Sequence, residues 1–274
     1  MKRLDEASTF IVMHDQKPSF EQLRIWLDKI CNDIAIKYGL LTPSGKPRKA
    51  FVLDTLLKYS CRGCIRKALQ HHEADGRVDA LYIQNHRLAI GLLIEGLRSI
   101  FESSGLSLNV GLEVTGDFGK SDVVVKPTWT GVSVKLETFE IIIEVKTGNG
   151  LSYSQIVRYL LENPNSVGVV WRVLPDQILV IDPVKHHFLL ELCLLAAVIR
   201  GLDILNGRIE ECSHSMARNP KFEIKDAQKI LESYMAALEK SLPKVVMTVY
   251  EIVRNRNAKT ETITREGVVY GGLF

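Results

Sequence analysis

The chain has 274 residues, 46% of them hydrophobic and 24% charged, which is ordinary globular content and enough for one large domain with appendages or two small ones. A formal net charge of +3 is too mild for nucleic-acid binding to be argued from the total, so any basic surface has to be local. No N-terminal stretch joins a basic region to a long apolar one, and no window reaches the length of a membrane span, so the expectation is a soluble cytoplasmic protein without a membrane partner.

In chain order, Phe10-Ile11-Val12-Met13 suggests a short strand. The spacing of Phe20, Leu23, Trp26, Leu27, Ile30, Ile34 and Ile36 predicts an amphipathic helix over 19–41. Thr42-Pro43-Ser44-Gly45-Lys46-Pro47 breaks it, and a second helical stretch follows over 49–72. Lys46, Arg48, Lys49, Lys58, Arg62, Arg66, Lys67 and Arg77 make 46–77 the most basic region before the strands, either a contact for a phosphate backbone or a solvated helix face. A strongly apolar helix is predicted over 85–104, where Arg87, Gly91, Glu95, Arg98 and Glu102 fall within one arc of roughly 80°. His86 is read as a capping or surface residue at its start.

Strands are predicted over 106–114, 121–129 and 137–147, with a glycine turn at 116–119 and a short hairpin at 132–136 between them. Gly148-Asn149-Gly150 ends the third strand, Ser152 caps a helix running to Asn163, and strands follow over 167–173 and 177–181. Helices over 184–205 and 225–242 come next. Weak alternation over 245–253 and 261–270 suggests a terminal hairpin whose cations (Lys244, Arg254, Arg256, Lys259, Arg265) suit DNA or a neighbouring subunit of a homo-oligomer.

The chemistry concentrates at Ile141-Ile142-Ile143-Glu144-Val145-Lys146. Branched aliphatics predict a strand buried on both faces, and strand alternation puts Glu144 and Lys146 on the face of Ile142, with Ile143 and Val145 on the other. Two charges leaving a hydrophobic strand side by side ask for a compensating partner or a metal. Asp122, opening the aliphatic run Val123-Val124-Val125, supplies a second acid. It is preferred over Asp117, which sits in the glycine turn. Gln155 and Tyr159, four apart, share one face of the next helix; Ser152 with Gln155 also fits a capping box.

Asp122 followed by Glu144-Val145-Lys146 resembles the signature of the PD-(D/E)xK nuclease superfamily, and Gln155-x-x-x-Tyr159 in the following helix is similar to the third motif of its RecB-like branch, which includes the CRISPR-associated RecB-like exonucleases. The resemblance implies an α/β fold with a restriction-endonuclease-like core of helix, three strands, helix and strand. It implies Mg²⁺ or Mn²⁺ held by Asp122 and Glu144, Lys146 assisting the attacking water, and Gln155 and Tyr159 lining the site and holding DNA. Many members carry an acid on the first core helix. Glu95 takes that position, to complete the metal shell or to form an exposed pair with Arg98; the RecB-like relatives commonly have histidine there, which is a departure.

Cys61-Arg62-Gly63-Cys64-Ile65-Arg66-Lys67 resembles the first cysteine and basic pair of an iron–sulfur site in those relatives, but the three clustered cysteines that follow their core are missing. Cys61, Cys64, Cys212 and His214 together have the donor types of a zinc or iron–sulfur site. Cys31 and Cys193 read as core packing. The expected organisation is a helical region 1–84, a nuclease core 85–182, a helical region 183–243 and a terminal hairpin 244–274. The expected function is metal-dependent DNA cleavage, exonucleolytic or flap-like, in DNA repair or CRISPR adaptation. The alternatives are a Holliday-junction-resolvase-like endonuclease and an inactive nucleic-acid-binding scaffold.

Overall fold

The computed structural model describes residues 18–59, 61–70, 80–116, 118–128, 139–147, 153–208 and 227–270. Seven helices and five strands occur among them: α1 (Phe20–Lys37), α2 (Lys49–Lys58), α3 (Arg62–Gln70), α4 (Ala80–Ser103), β1 (Ser107–Gly116), β2 (Gly119–Thr128), β3 (Ile141–Lys146), α5 (Tyr153–Glu162), β4 (Val167–Arg172), β5 (Gln177–Ile181), α6 (Pro183–Leu205) and α7 (Ala227–Tyr270). The expected elements at 10–13, 132–136 and 148–152 fall outside the described residues, as does Asp117.

Helix α1 begins with a reciprocal cap: Ser19 Oγ accepts from Gln22 N at 3.2 Å and Gln22 Oε1 accepts from Ser19 N at 2.8 Å. It ends earlier than periodicity alone predicts, because Gly39 adopts φ +66° and turns Leu40 back into the core. The single helix expected over 49–72 is two. Tyr59 is extended between α2 and α3, where Tyr59-Ser60-Cys61 holds no strong helix former.

The sheet has the order β1-β2-β3-β4-β5 and is mixed, with β3 and β4 parallel and the other pairs antiparallel. Gly119, at φ +142°, starts β2 immediately after its hairpin with β1. One sheet face carries Val123, Val125, Ile141, Ile143, Val145, Val169 and Trp171, packed on Ala89, Leu93 and Leu97 of α4 and on Val245, Val249 and Val253 of α7. The opposite face carries Val124, Ile142 and Val170 under Ile156 and Tyr159 of α5. Gly168 lets α5 lie close, since a Cβ there would sit 2.6 Å from Ile156 Cγ1. The outer side of α5, through Val157 and Leu161, joins a second core built by α1, α2, α3 and α6.

One expectation about organisation is corrected. The terminal hairpin is absent: 244–270 continue α7, with Pro243 inside the helix. Val245, Val246, Val249 and Val253 are buried at helical spacing, so packing against α4 and the sheet outweighs β-branched propensity and the donor lost at Pro243. Trp171 Nε1 donates to Ser241 Oγ at 3.1 Å and fastens this helix to β4. The expected helical regions pack onto the core: α1, α2 and α3 form one core with α5 and α6, and α7 covers a sheet face. Cys31 is fully buried as expected, whereas Cys193 lies on an exposed side of α6. Among the described residues no helix is long and apolar enough to cross a membrane.

Candidate active site

Because β2 and β3 are antiparallel, the start of one lies beside the end of the other. The register pairs Val124 with Ile142 and Val123 with Ile143. Continued by one residue, it sets Asp122 opposite Glu144 on the face that α5 covers, as strand alternation predicts. Asp122 Oδ2 accepts from the backbone N of Val145 at 2.8 Å and lies 3.2 Å from His86 Nε2. The same imidazole nitrogen is 3.2 Å from the carbonyl oxygen of Val145.

Glu144 is 1% exposed. Burial and then the negative charge of Asp122 push its carboxyl up from 4.5 to about 7, while Lys146 and His86 pull it down. Lys146 Nζ donates to Glu144 Oε1 at 2.6 Å and to Gln155 Oε1 at 2.7 Å. Gln155 Nε2 in turn donates to the Tyr159 hydroxyl at 2.9 Å, and that hydroxyl donates to the carbonyl of Lys120. A continuous chain of hydrogen bonds thus runs from Glu144 to the start of β2. Tyr159 is buried, and burial pushes its phenol above the usual range. Both residues of the Gln-x-x-x-Tyr motif therefore act on Lys146, Gln155 directly and Tyr159 through it.

Helix α5 is held on its other side as well. Ser154 Oγ donates to Asp54 Oδ1 of α2, and Arg158 Nη1 donates to the carbonyl of Phe118 at 2.7 Å. These contacts fix the helix that fixes Gln155.

His86 joins the cluster, where the sequence suggested a capping or surface residue. Helix α4 starts at Ala80, so His86 lies in its second turn and not at its start. The missed signal is positional: His86, Ala89, Leu93 and Leu97 follow one helical stripe, and the last three are buried against the sheet. The bond to Asp122 chiefly raises the His86 pKa from 6.5, the charges of Asp122 and Glu144 and the Val145 carbonyl add to it, and burial opposes it. The carbonyl of Asn85 accepts from Tyr234 of α7 at 2.8 Å, which secures this part of α4. Glu95 is exposed and nine residues further on, roughly 13 Å along the helix axis, so the structure brings His86 to the cluster and not Glu95.

Among the described residues, no three His, Cys, Asp or Glu side chains are closed around one point as a metal requires. The reason is local: the Val145 N–H and the His86 ring occupy Asp122 Oδ2, and Lys146 occupies one oxygen of Glu144. The second, Glu144 Oε2, is buried with no hydrogen-bond partner. An orphaned carboxylate oxygen opposite a second carboxylate fits a hard divalent cation; Asp122 and Glu144 supply its oxygens, and His86 would join them only once a cation displaces the Nε2 proton that now faces Asp122 and the Val145 carbonyl.

Of the other expected ligands, Cys61 is half-buried, Cys64 is buried in α3, and Cys212 and His214 lie outside the described residues. The basic stretch is partly committed internally. Lys49 pairs with Asp28 at 2.7 Å, and Arg62 pairs with Asp203 at 2.8 Å. No family model matches this chain, and no curated protein or solved structure matches it.

Proposed function

We propose that the protein is a divalent-metal-dependent nuclease that hydrolyses phosphodiester bonds in DNA, with a centre of the PD-(D/E)xK, RecB-like kind on a restriction-endonuclease-like core. The observation that carries the reading is the orphaned oxygen of Glu144, buried opposite Asp122 and next to a lysine held by two hydrogen bonds. A mixed sheet with α4 on one face and α5 on the other supports the core assignment.

Asp122, Glu144 and His86 would hold Mg²⁺ or Mn²⁺, which when bound supplies positive charge to phosphoryl oxygens. The residues themselves do the rest. Glu144 gives up its proton to solvent before it can serve as a ligand. Lys146, oriented by Gln155, presents an ammonium to the charge that develops on the phosphate. Tyr159 keeps Gln155 turned toward Lys146, and the apolar packing under α5 keeps water from loosening the chain of bonds.

The test is cleavage of end-labelled single-stranded, double-stranded and circular DNA with Mn²⁺, Mg²⁺ or EDTA, with wild type beside Lys146→Ala. Metal-dependent cutting that is lost in the variant supports the reading. Resistance of circles assigns exonucleolytic or flap-like action. Failure to cut any substrate, or full activity in the variant, refutes it.

A further inference from the structure

Arg172, the last residue of β4, is paired in parallel register with Lys146, as Val170 is with Glu144. Registered residues of a parallel pair share a sheet face. Packing agrees: Val170 lies under α5 with Ile142, and Trp171 points to the side of α4 and α7. Arg172 therefore leaves the same face and the same edge of the sheet as Glu144 and Lys146. Its Nη1 donates to Gln177 Oε1 at 2.9 Å, so the guanidinium leans toward β5. That sets it between one and two strand spacings from Lys146, about 5–10 Å. The turn that follows carries Asp176, held by Lys240 at 3.3 Å and by Lys244. Two lysines of α7 thus hold the acid of the turn that follows Arg172.

We infer that Arg172 binds a backbone phosphate of the substrate strand, the neighbour of the phosphate that meets Lys146. The inference rests on the proposed nuclease reading and adds to it a direction: the strand crosses the sheet edge from β3 toward β5. A guanidinium fork matches phosphate geometry, and a charge-assisted bond to phosphate is stronger than the neutral-acceptor bond to the exposed Gln177.

The experiment measures binding of a fluorescein-labelled single-stranded oligonucleotide by anisotropy in EDTA and in Ca²⁺, over a series of salt concentrations, for wild type, Arg172→Gln, Arg172→Lys and Lys126→Ala. Lys126 sits at the opposite edge of the sheet, paired with Glu140, and serves as the control cation. Arg172→Gln should weaken binding about tenfold and lower the salt slope by about 0.7. Arg172→Lys should recover part of both, and Lys126→Ala should match wild type. In cleavage, Arg172→Gln should raise KM while kcat stays within about threefold.

Unchanged affinity and slope in Arg172→Gln, an equal loss in Lys126→Ala, or no binding by wild type overturns the inference. If thermal melting shows that Arg172→Gln does not fold, Arg172→Lys decides: it keeps the charge without the fork and should bind about threefold weaker. Inorganic phosphate should leave the wild-type melting temperature unchanged. A rise that is lost in Arg172→Lys would assign the residue to free phosphate and overturn the inference. If wild type binds DNA through Arg172 and cuts nothing, the phosphate contact stands and the nuclease reading alone falls.

Discussion

Replacing Glu144 by glutamine should make the metal-free protein more stable in alkaline solution. The carboxyl titrates at about 7 in the fold against 4.5 as a free side chain. A folded value above the unfolded one means that the group's contribution is complete below the unfolded value and is lost as pH rises through the folded one. At about 1.4 kcal/mol per pH unit, the buried carboxylate costs up to about 3 kcal/mol near pH 8.5 and under about 1 kcal/mol near pH 5. Glutamine matches the protonated acid in shape and keeps an oxygen for Lys146, so Glu144→Gln should escape most of that cost. The assay is urea unfolding in EDTA at both pH values. The variant should exceed wild type by up to about 3 kcal/mol at the higher pH, with the gap closing at the lower. Adding Mn²⁺ should raise the stability of wild type and leave the variant unmoved. Equal stabilities at both pH values, or a wild type that is the more stable one in EDTA near pH 8.5, would refute the account of Glu144 as a destabilising acid kept for a cation.

Other consequences are open to measurement. Mn²⁺ binding should release a proton from Glu144 and tighten about tenfold between about pH 6 and pH 8, as followed by calorimetry in buffers of different ionisation heat. His86→Gln should destabilise most below pH 6.5, where the pair with Asp122 contributes fully, and its difference from wild type should shrink as pH rises through the raised folded value; unfolding at a series of pH values checks this. Glu95→Ala should leave Mn²⁺ affinity and DNA cleavage at wild-type levels, since that carboxylate is exposed and remote from the cluster. Trp171→Phe should lower stability by about 1–3 kcal/mol through the orphaned Ser241 hydroxyl and the lost ring volume, measured by chemical denaturation.

The strand-borne part of the cluster was legible in the sequence because a strand of period two carries its own geometry. Ile142, Glu144 and Lys146 had to share a face, and hydrophobic runs at 123–125 and 167–171 marked the neighbours that pair with them. Helix-borne contributions were harder to read. His86 depended on where α4 begins, which local signals placed five residues late, and Glu95 drew attention only because it is polar on an apolar helix. The run after Pro243 misled for a related reason. Valine pairs spaced at 245, 246, 249 and 253 satisfy both a weak alternation and a helical stripe, and only the presence of α4 and Trp171 as packing partners decides between them. Arg172 carried no local signal, since its relation to Lys146 exists only through the parallel register.

Helix α5 has a consequence for where the protein divides. It turns Ile156 and Tyr159 to the sheet and Val157 and Leu161 to the helices on its far side. A fragment trimmed to the strands and their two flanking helices would contain His86, Asp122, Glu144, Lys146, Gln155 and Tyr159, yet it would leave the second side of α5 in water. The stretch that bears the chemistry is thus shorter than the stretch that can fold. Helices α1, α2, α3 and α6 are the wall against which the lysine is held in place.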